Sequence, residues 1–139
     1  MEIKTESFNI STKGFNDIKD ITPKIQGIIY ESGLKEGNVL VFVPGSTAAI
    51  TTIEFEPGLL EDYPEFFNSL VPSDQAYHHN ETWHDGNGHS HIRASLQGPS
   101  LTVPFKNATL LLGTWQQIVL IDFDNTQRNR KVIVQLIGI

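Results

Sequence analysis

The last fifty residues of this chain most constrain its fold. They read as one β segment after another, with no amphipathic helix long enough to separate them. Alternating or β-branched stretches at 89–98, 100–105, 109–112, 115–123 and 130–137 are divided by Gly-Pro, Lys-Asn, Gly-Thr and Asp-Asn turn signals. A doubly wound sheet needs a crossover helix between successive parallel strands, and none fits here. Further back, a strand is expected over 3–10. A helix is expected from the Thr22-Pro23 pair to Gly33, with Ile21, Ile25, Ile28 and Ile29 at helical spacing. The run Val39-Leu40-Val41-Phe42-Val43 suits a buried central strand, and 47–55 a second strand. Pro64 places the second helix late, from Asp62 as N-cap to Pro72. The fold class expected is α+β, a mainly antiparallel, sandwich-like body with two helices, in one domain spanning residues 1–139.

All five histidines lie between His78 and His91, interleaved with Glu81, Asp85 and Asn87. Imidazole is the commonest metal ligand and the side chain best matched to proton transfer near neutral pH, so any chemical site belongs here. Read as a strand, residues 89–98 place His89, His91, Arg93 and Ser95 on one face and Ile92, Ala94 and Leu96 against the core. Two imidazoles on one face converge on a single ion when a third ligand joins them, and His79 or Asp85 is the natural third. Arg93 then adds a fixed positive charge suited to phosphate or carboxylate. A hydrophilic loop running into a solvated strand face is the plain alternative.

The chain has no cysteine, so no disulfide, thiolate nucleophile or cysteine-ligated zinc can form. A metal site would have to use His, Asp or Glu. The formal net charge of -6 gives no basic footprint for nucleic acid or an anionic membrane. The first residues show no signal peptide and no stretch has the length of a membrane helix, so a soluble, cytoplasmic protein is expected. Pro44-Gly45-Ser46-Thr47 could offer N–H and hydroxyl donors to an anion, but its spacing alone favours an ordinary turn. Gly113-Thr114-Trp115-Gln116 reads as a strand start with a tryptophan that packs in a pocket or interface. Glu54 is expected to face solvent, and Arg128 and Arg130 to be surface charges within reach of an anionic ligand.

Together these residues resemble the YjbQ family, also called UPF0047, whose members are sometimes labelled secondary thiamine-phosphate synthases. The resemblance runs from about residue 39 to 138. It rests on Thr47-Ala48-Ala49 with Glu54, then Glu56-Pro57-Gly58-Leu59-Leu60-Glu61-Asp62, Tyr77-x-His79 and Asp85-x-Asn87-Gly88-His89-Ser90-His91. Ala94-Ser95-Leu96-x-Gly98, Val103-Pro104, Leu112-Gly113-Thr114-Trp115-Gln116 and Arg130 complete it. The resemblance implies a homotrimer acting on a phosphorylated small molecule, with weak joining of a pyrimidine pyrophosphate to a thiazole phosphate.

With the family pocket carried onto this chain and joined to the residue reading above, His79, Asp85 and His91 are the catalytic candidates. Ser46, Thr47, Glu54, Asn87, Arg93, Thr114 and Gln116 would bind substrate. His79, His89 and His91 would hold a divalent metal, zinc before others. The alternative is a non-catalytic trimeric module that binds a metal or phosphorylated ligand. Two positions depart from the family pattern: Gly45-Ser46 stands where relatives carry His-Thr, and Ile53 where they often carry Asn. His78 and His84 match no family histidine.

Overall fold

The computed structural model describes all 139 residues. Its elements are β1 (Glu2–Thr12), β2 (Asp17–Asp20), α1 (Thr22–Ser32), β3 (Glu36–Phe42), β4 (Ala48–Ile53) and α2 (Pro57–Leu70). Then follow α3 (His78–Trp83), α4 (Gly88–Gln97), β5 (Ser100–Lys106), β6 (Thr109–Leu110), β7 (Gln117–Asp122) and β8 (Arg128–Gly138). Two sheets form, β1-β8-β3-β5-β6 and β2-β7-β4, and every strand pair is antiparallel. The α+β, antiparallel expectation holds, with four helices in place of two. No helix is long and apolar enough to cross a membrane.

Burial follows the pleat. On β7, Ile118 and Leu120 enter the larger core, shared with Val39, Val41, Val132, Val134 and Leu136 of the five-stranded sheet and Ile21, Ile25 and Ile29 of α1. Val119 and Ile121 point the other way, into a smaller core with Ala49, Phe67, Ala94 and Phe123. The small sheet is therefore covered on both faces, by the large sheet on one side and by α2 and α4 on the other. The strand expected to be fully buried, β3, is central in its sheet but leaves Leu40 partly exposed. That role belongs to β7.

Several boundaries move for identifiable reasons. Helix α1 spans Thr22 to Ser32 and ends on Gly33 in the left-handed conformation, φ 77°, as expected. Thr22 is not its cap, however; its hydroxyl accepts a hydrogen bond from the Ile118 N–H at 2.8 Å and ties the helix start to β7. Helix α2 begins at Pro57, not Asp62, because the Glu56 carboxylate caps it, accepting from the N–H groups of Gly58 and Leu59. Pro64 stays inside the helix, where Tyr63 and Phe67 flank it and Phe67 packs on Phe123 at a centroid distance of 5.0 Å.

The segment expected as a strand over 89–98 is a helix through Gln97, capped by Gly98. His89, Ser90, Arg93 and Ala94 are its buried face, a spacing of one helical turn, whereas Ile92 and Leu96, expected in the core, are exposed. His91 therefore does not share a face with His89 and Arg93. The short helix α3 and strand β2 have no counterpart in the sequence expectations. Gly14, Phe15 and Asn16 turn the chain between β1 and β2 with three successive positive φ values.

Candidate functional site

Helices α3 and α4 bring two of the expected histidines face to face. The rings of His79 and His91 lie with centroids 4.2 Å apart and planes tilted by 40°. Asp85 Oδ1 sits 3.7 Å from His79 Nδ1, close enough for charge attraction but too far for a good hydrogen bond. His89, two residues before His91 and on the buried face of α4, is only 7% exposed, with Nε2 3.3 Å from the Ser90 hydroxyl. The family-unmatched pair stays outside: His78 is fully exposed and pairs loosely with Glu81, and His84 is the left-handed residue that ends α3.

Asn87 joins this cluster to two buried carboxylates. Its Nδ2 donates to Asp124 Oδ1 at 3.2 Å. Asp124 also accepts from the Asn125 N–H, the Thr47 hydroxyl and Arg128 Nε. Beside it, Asp122 accepts from the Thr12 hydroxyl at 2.5 Å and takes a bidentate fork from Arg130, Nε at 2.7 Å and Nη2 at 2.8 Å. Thr47 links the two halves, accepting from Arg130 Nη2 at 2.7 Å while donating to Asp124. Its side chain is buried, so Thr47 acts here through Asp124.

Three polar atoms in this wall are buried without any hydrogen-bond partner: His79 Nδ1, Asn87 Oδ1 and His89 Nδ1. Buried polar groups are almost always paired, so three unpaired ones in one small region mark a place built to meet something else. The remaining expected residues fall elsewhere. Arg93 is 2% exposed and holds the Val71 carbonyl through Nε at 3.0 Å and Nη2 at 2.7 Å, with Nη1 on Asn16 Oδ1 at 2.9 Å. It works as a clamp between α4, the end of α2 and the β1–β2 corner. Glu54, Ser46 and Thr114 are exposed. Gln116 accepts from the Gly113 N–H, donates to Thr52 and lines a separate cleft of about 340 Å³ that contains no histidine. Trp115 is exposed beside it.

Sequence reasoning passed over Asp122 and Asp124, reading Asp-Asn as a turn. A signal was present. Two aspartates at period two follow the apolar run Ile118-Val119-Leu120-Ile121, and two arginines at period two, Arg128 and Arg130, open the next segment. Alternation puts each pair on one face, and the turn between them brings the faces together.

Electrostatics favour neutral imidazoles at His89 and His91 and an ionised carboxylate at Asp124. Burial lowers the His89 pKa, helped by the Arg93 charge and opposed by Asp124. Burial also lowers that of His91, helped by His79 and opposed by Asp124 and Asp85. For Asp124, burial pushes upward, but the hydrogen bonds from Asn87, Asn125, Arg128 and Thr47 outweigh it and hold the carboxyl below its ordinary value. All three shifts act in one direction. Between a lowered native pKa and the ordinary one, the unfolded chain binds more protons, so stability rises with pH there. Metal-free protein is expected to hold constant stability above about pH 7. It should weaken as pH falls below the ordinary histidine value of 6.5 and weaken again below the ordinary aspartate value of 3.8. Urea midpoints across pH 7.5 to 3 check this, with His89→Gln flattening the first step. A wild-type midpoint that stays level between pH 7.5 and 5.5 would show that the imidazoles are not held neutral by the fold.

With the geometry in place, comparisons identify the chain's relatives. The family model described as "UPF0047 protein YjbQ-like" matches residues 6–139. A UPF0047 protein of Methanothermobacter thermautotrophicus is 38% identical over 138 residues, covering 99% of this chain and 94% of the relative. One from Archaeoglobus fulgidus is 42% identical over 119 residues, covering 86% and 90%. A solved structure of a hypothetical protein from Aeropyrum pernix superposes with a TM-score of 0.91 at 33% identity, covering 98% of this chain and 99% of that one.

Proposed function

The chain belongs to the UPF0047 YjbQ-like family, and from that premise we propose that the wall formed by His79, Asp85, Asn87, His89 and His91 is a small-molecule active site. The reaction proposed is transfer chemistry on a phosphorylated metabolite by a cytoplasmic homotrimer, with thiamine-phosphate synthesis as the specific activity to test. The observation that carries the reading is the set of three buried, unpartnered polar atoms on His79, Asn87 and His89.

The donor set suits a divalent ion such as zinc: imidazoles and a carboxylate, with no cysteine in the chain. His79 and His91 are close enough to share one ion. Within one chain, though, no three His, Asp or Glu side chains close around a point. The remaining ligand would be a substrate oxygen or a side chain of a neighbouring subunit. Bound there, such an ion supplies positive charge opposite a departing pyrophosphate. The protein's own groups do the rest. With no ion bound, His91, whose pKa burial lowers, would instead offer a neutral ring nitrogen to accept a hydrogen bond from a substrate N–H or O–H. Asp85 Oδ1 lies 3.7 Å from His79 Nδ1 and borders that ring, Asn87 Oδ1 accepts a substrate N–H or O–H, and Asp124 keeps the Asn87 amide oriented through its Nδ2.

The test pairs metal analysis with turnover. Untagged wild type purified without chelator should contain a divalent metal, read by mass spectrometry, which His91→Ala loses. Turnover of a pyrimidine pyrophosphate with a thiazole phosphate should fall about 100-fold or more in that variant while its circular dichroism is unchanged. Equal turnover in the variant and wild type removes the reading.

A further inference from the structure

We infer that Arg128 and Arg130 form a clamp for a phosphoryl group at the Gly45 turn, seating the anionic end of the substrate proposed above. Both arginines lie on one face of β8, two residues apart. Both are held from the buried side through Nε: Arg128 by Asp124 Oδ2 at 2.9 Å and Arg130 by Asp122 Oδ2 at 2.7 Å. Arg130 Nη2 is also taken, by Asp122 and Thr47. The outer nitrogens are left over. Arg130 Nη1 and both terminal nitrogens of Arg128 make no hydrogen bond within the chain; Arg130 Nη1 is not among the buried unpartnered atoms, and 47% of the Arg128 side chain is exposed.

Gly45 leaves the opening. A Cβ at that position would lie 2.9 Å from Arg130 Nη1, and beyond its chain neighbours it would meet no residue but Arg130 within 4 Å. Because Nε and Nη2 are pinned, Nη1 cannot swing away, and any side chain at position 45 covers it. Charge is layered accordingly. The aspartates are at 0% and 1% exposure underneath, while the Arg128 and Arg130 side chains keep 47% and 11% of their surface exposed. Planar guanidinium groups fixed in place match the tetrahedral oxygens of a phosphoryl group. The clamp lies next to the histidine wall because Asp124 touches both: it accepts from Arg128 on one side and from Asn87 on the other. Arg93, whose guanidinium holds Val71 and Asn16, cannot take this part.

This inference rests on the small-molecule reading, but binding and turnover separate the two. Titration calorimetry of the intact chain with inorganic pyrophosphate, in chelator so that only protein groups contribute, should give a saturable isotherm. Arg128→Gln and Gly45→Ala should each bind about tenfold more weakly, with urea midpoints showing that both are folded. Acetate at equal ionic strength should not compete. No binding by wild type, wild-type binding by both variants, or equal competition by acetate overturns the clamp. Loss of binding in His91→Ala with retention in Arg128→Gln would place the anion at the histidines instead and overturn it as well. Pyrophosphate binding that follows the clamp variants in a protein without synthase turnover would leave the clamp standing and defeat only the catalytic reading.

Discussion

Asp122→Asn is expected to be among the most destabilising single changes in the chain, costing about 3–5 kcal/mol. The wild-type carboxylate is wholly buried and accepts four hydrogen bonds, from Thr12, Arg130 twice, and the Asp124 N–H. An amide of the same shape keeps one acceptor and turns an N–H₂ toward donors. It also leaves the Arg130 guanidinium, with only 11% of its side chain exposed, without its main counter-charge. Breaking one partner of such a pair costs far more than the pair contributes, because the remaining, largely buried charge is poorly hydrated. With total stabilities of about 5–15 kcal/mol, the variant stands near the edge of folding. Thr12→Val is the internal comparison. It removes one neutral donor at the same carboxylate and should cost about 1 kcal/mol. Urea unfolding of the three proteins at pH 7.5 checks the ordering. Equal midpoints for Asp122→Asn and wild type would mean that water reaches the pair and that the network does not organise this end of the molecule.

That network also shows why the site was only half legible in the sequence. Local signals were read where they act alone. The proline at the start of α1, its isoleucines at helical spacing and the terminal glycine belong to one segment, and that helix lies where they put it. The histidines were equally visible, because their crowding is a property of one short stretch. What was not legible depends on partners far away in the chain. The stretch from His89 to Gln97 contains an alternation, Ile92, Ala94 and Leu96, that mimics a strand. Its helical burial is decided by Val71, Asn16 and the β4–β7 sheet surface. Glu56 capping α2 was hidden by the proline rule applied to Pro64. The aspartates were missed because a carboxylate after an apolar run reads as the end of a strand unless the compensating arginines are counted with it.

Arg93→Ala separates the two roles that this residue has been given. As a phosphate ligand it would be dispensable for folding and its loss would weaken substrate binding alone. The structure assigns the opposite: three nitrogens bound to Val71 and Asn16, almost no exposure, and burial lowering its pKa with partial compensation from Tyr77. Truncation leaves the Val71 carbonyl, at the C-cap of α2, without its charged donors and opens a cavity under α4. The expected cost is about 3 kcal/mol, or roughly 10 °C in the unfolding midpoint. Arg93→Lys restores one donor but not the fork, so it should recover only part of that loss. Because α4 carries His89 and His91, loosening this clamp should also blur their geometry. Metal retention and turnover should fall with stability across the Arg93 series, whereas pyrophosphate binding at Arg128 and Arg130 should persist at temperatures where the variants are folded. A stable Arg93→Ala protein that had lost pyrophosphate binding would return the residue to the ligand and take the anion seat away from β8.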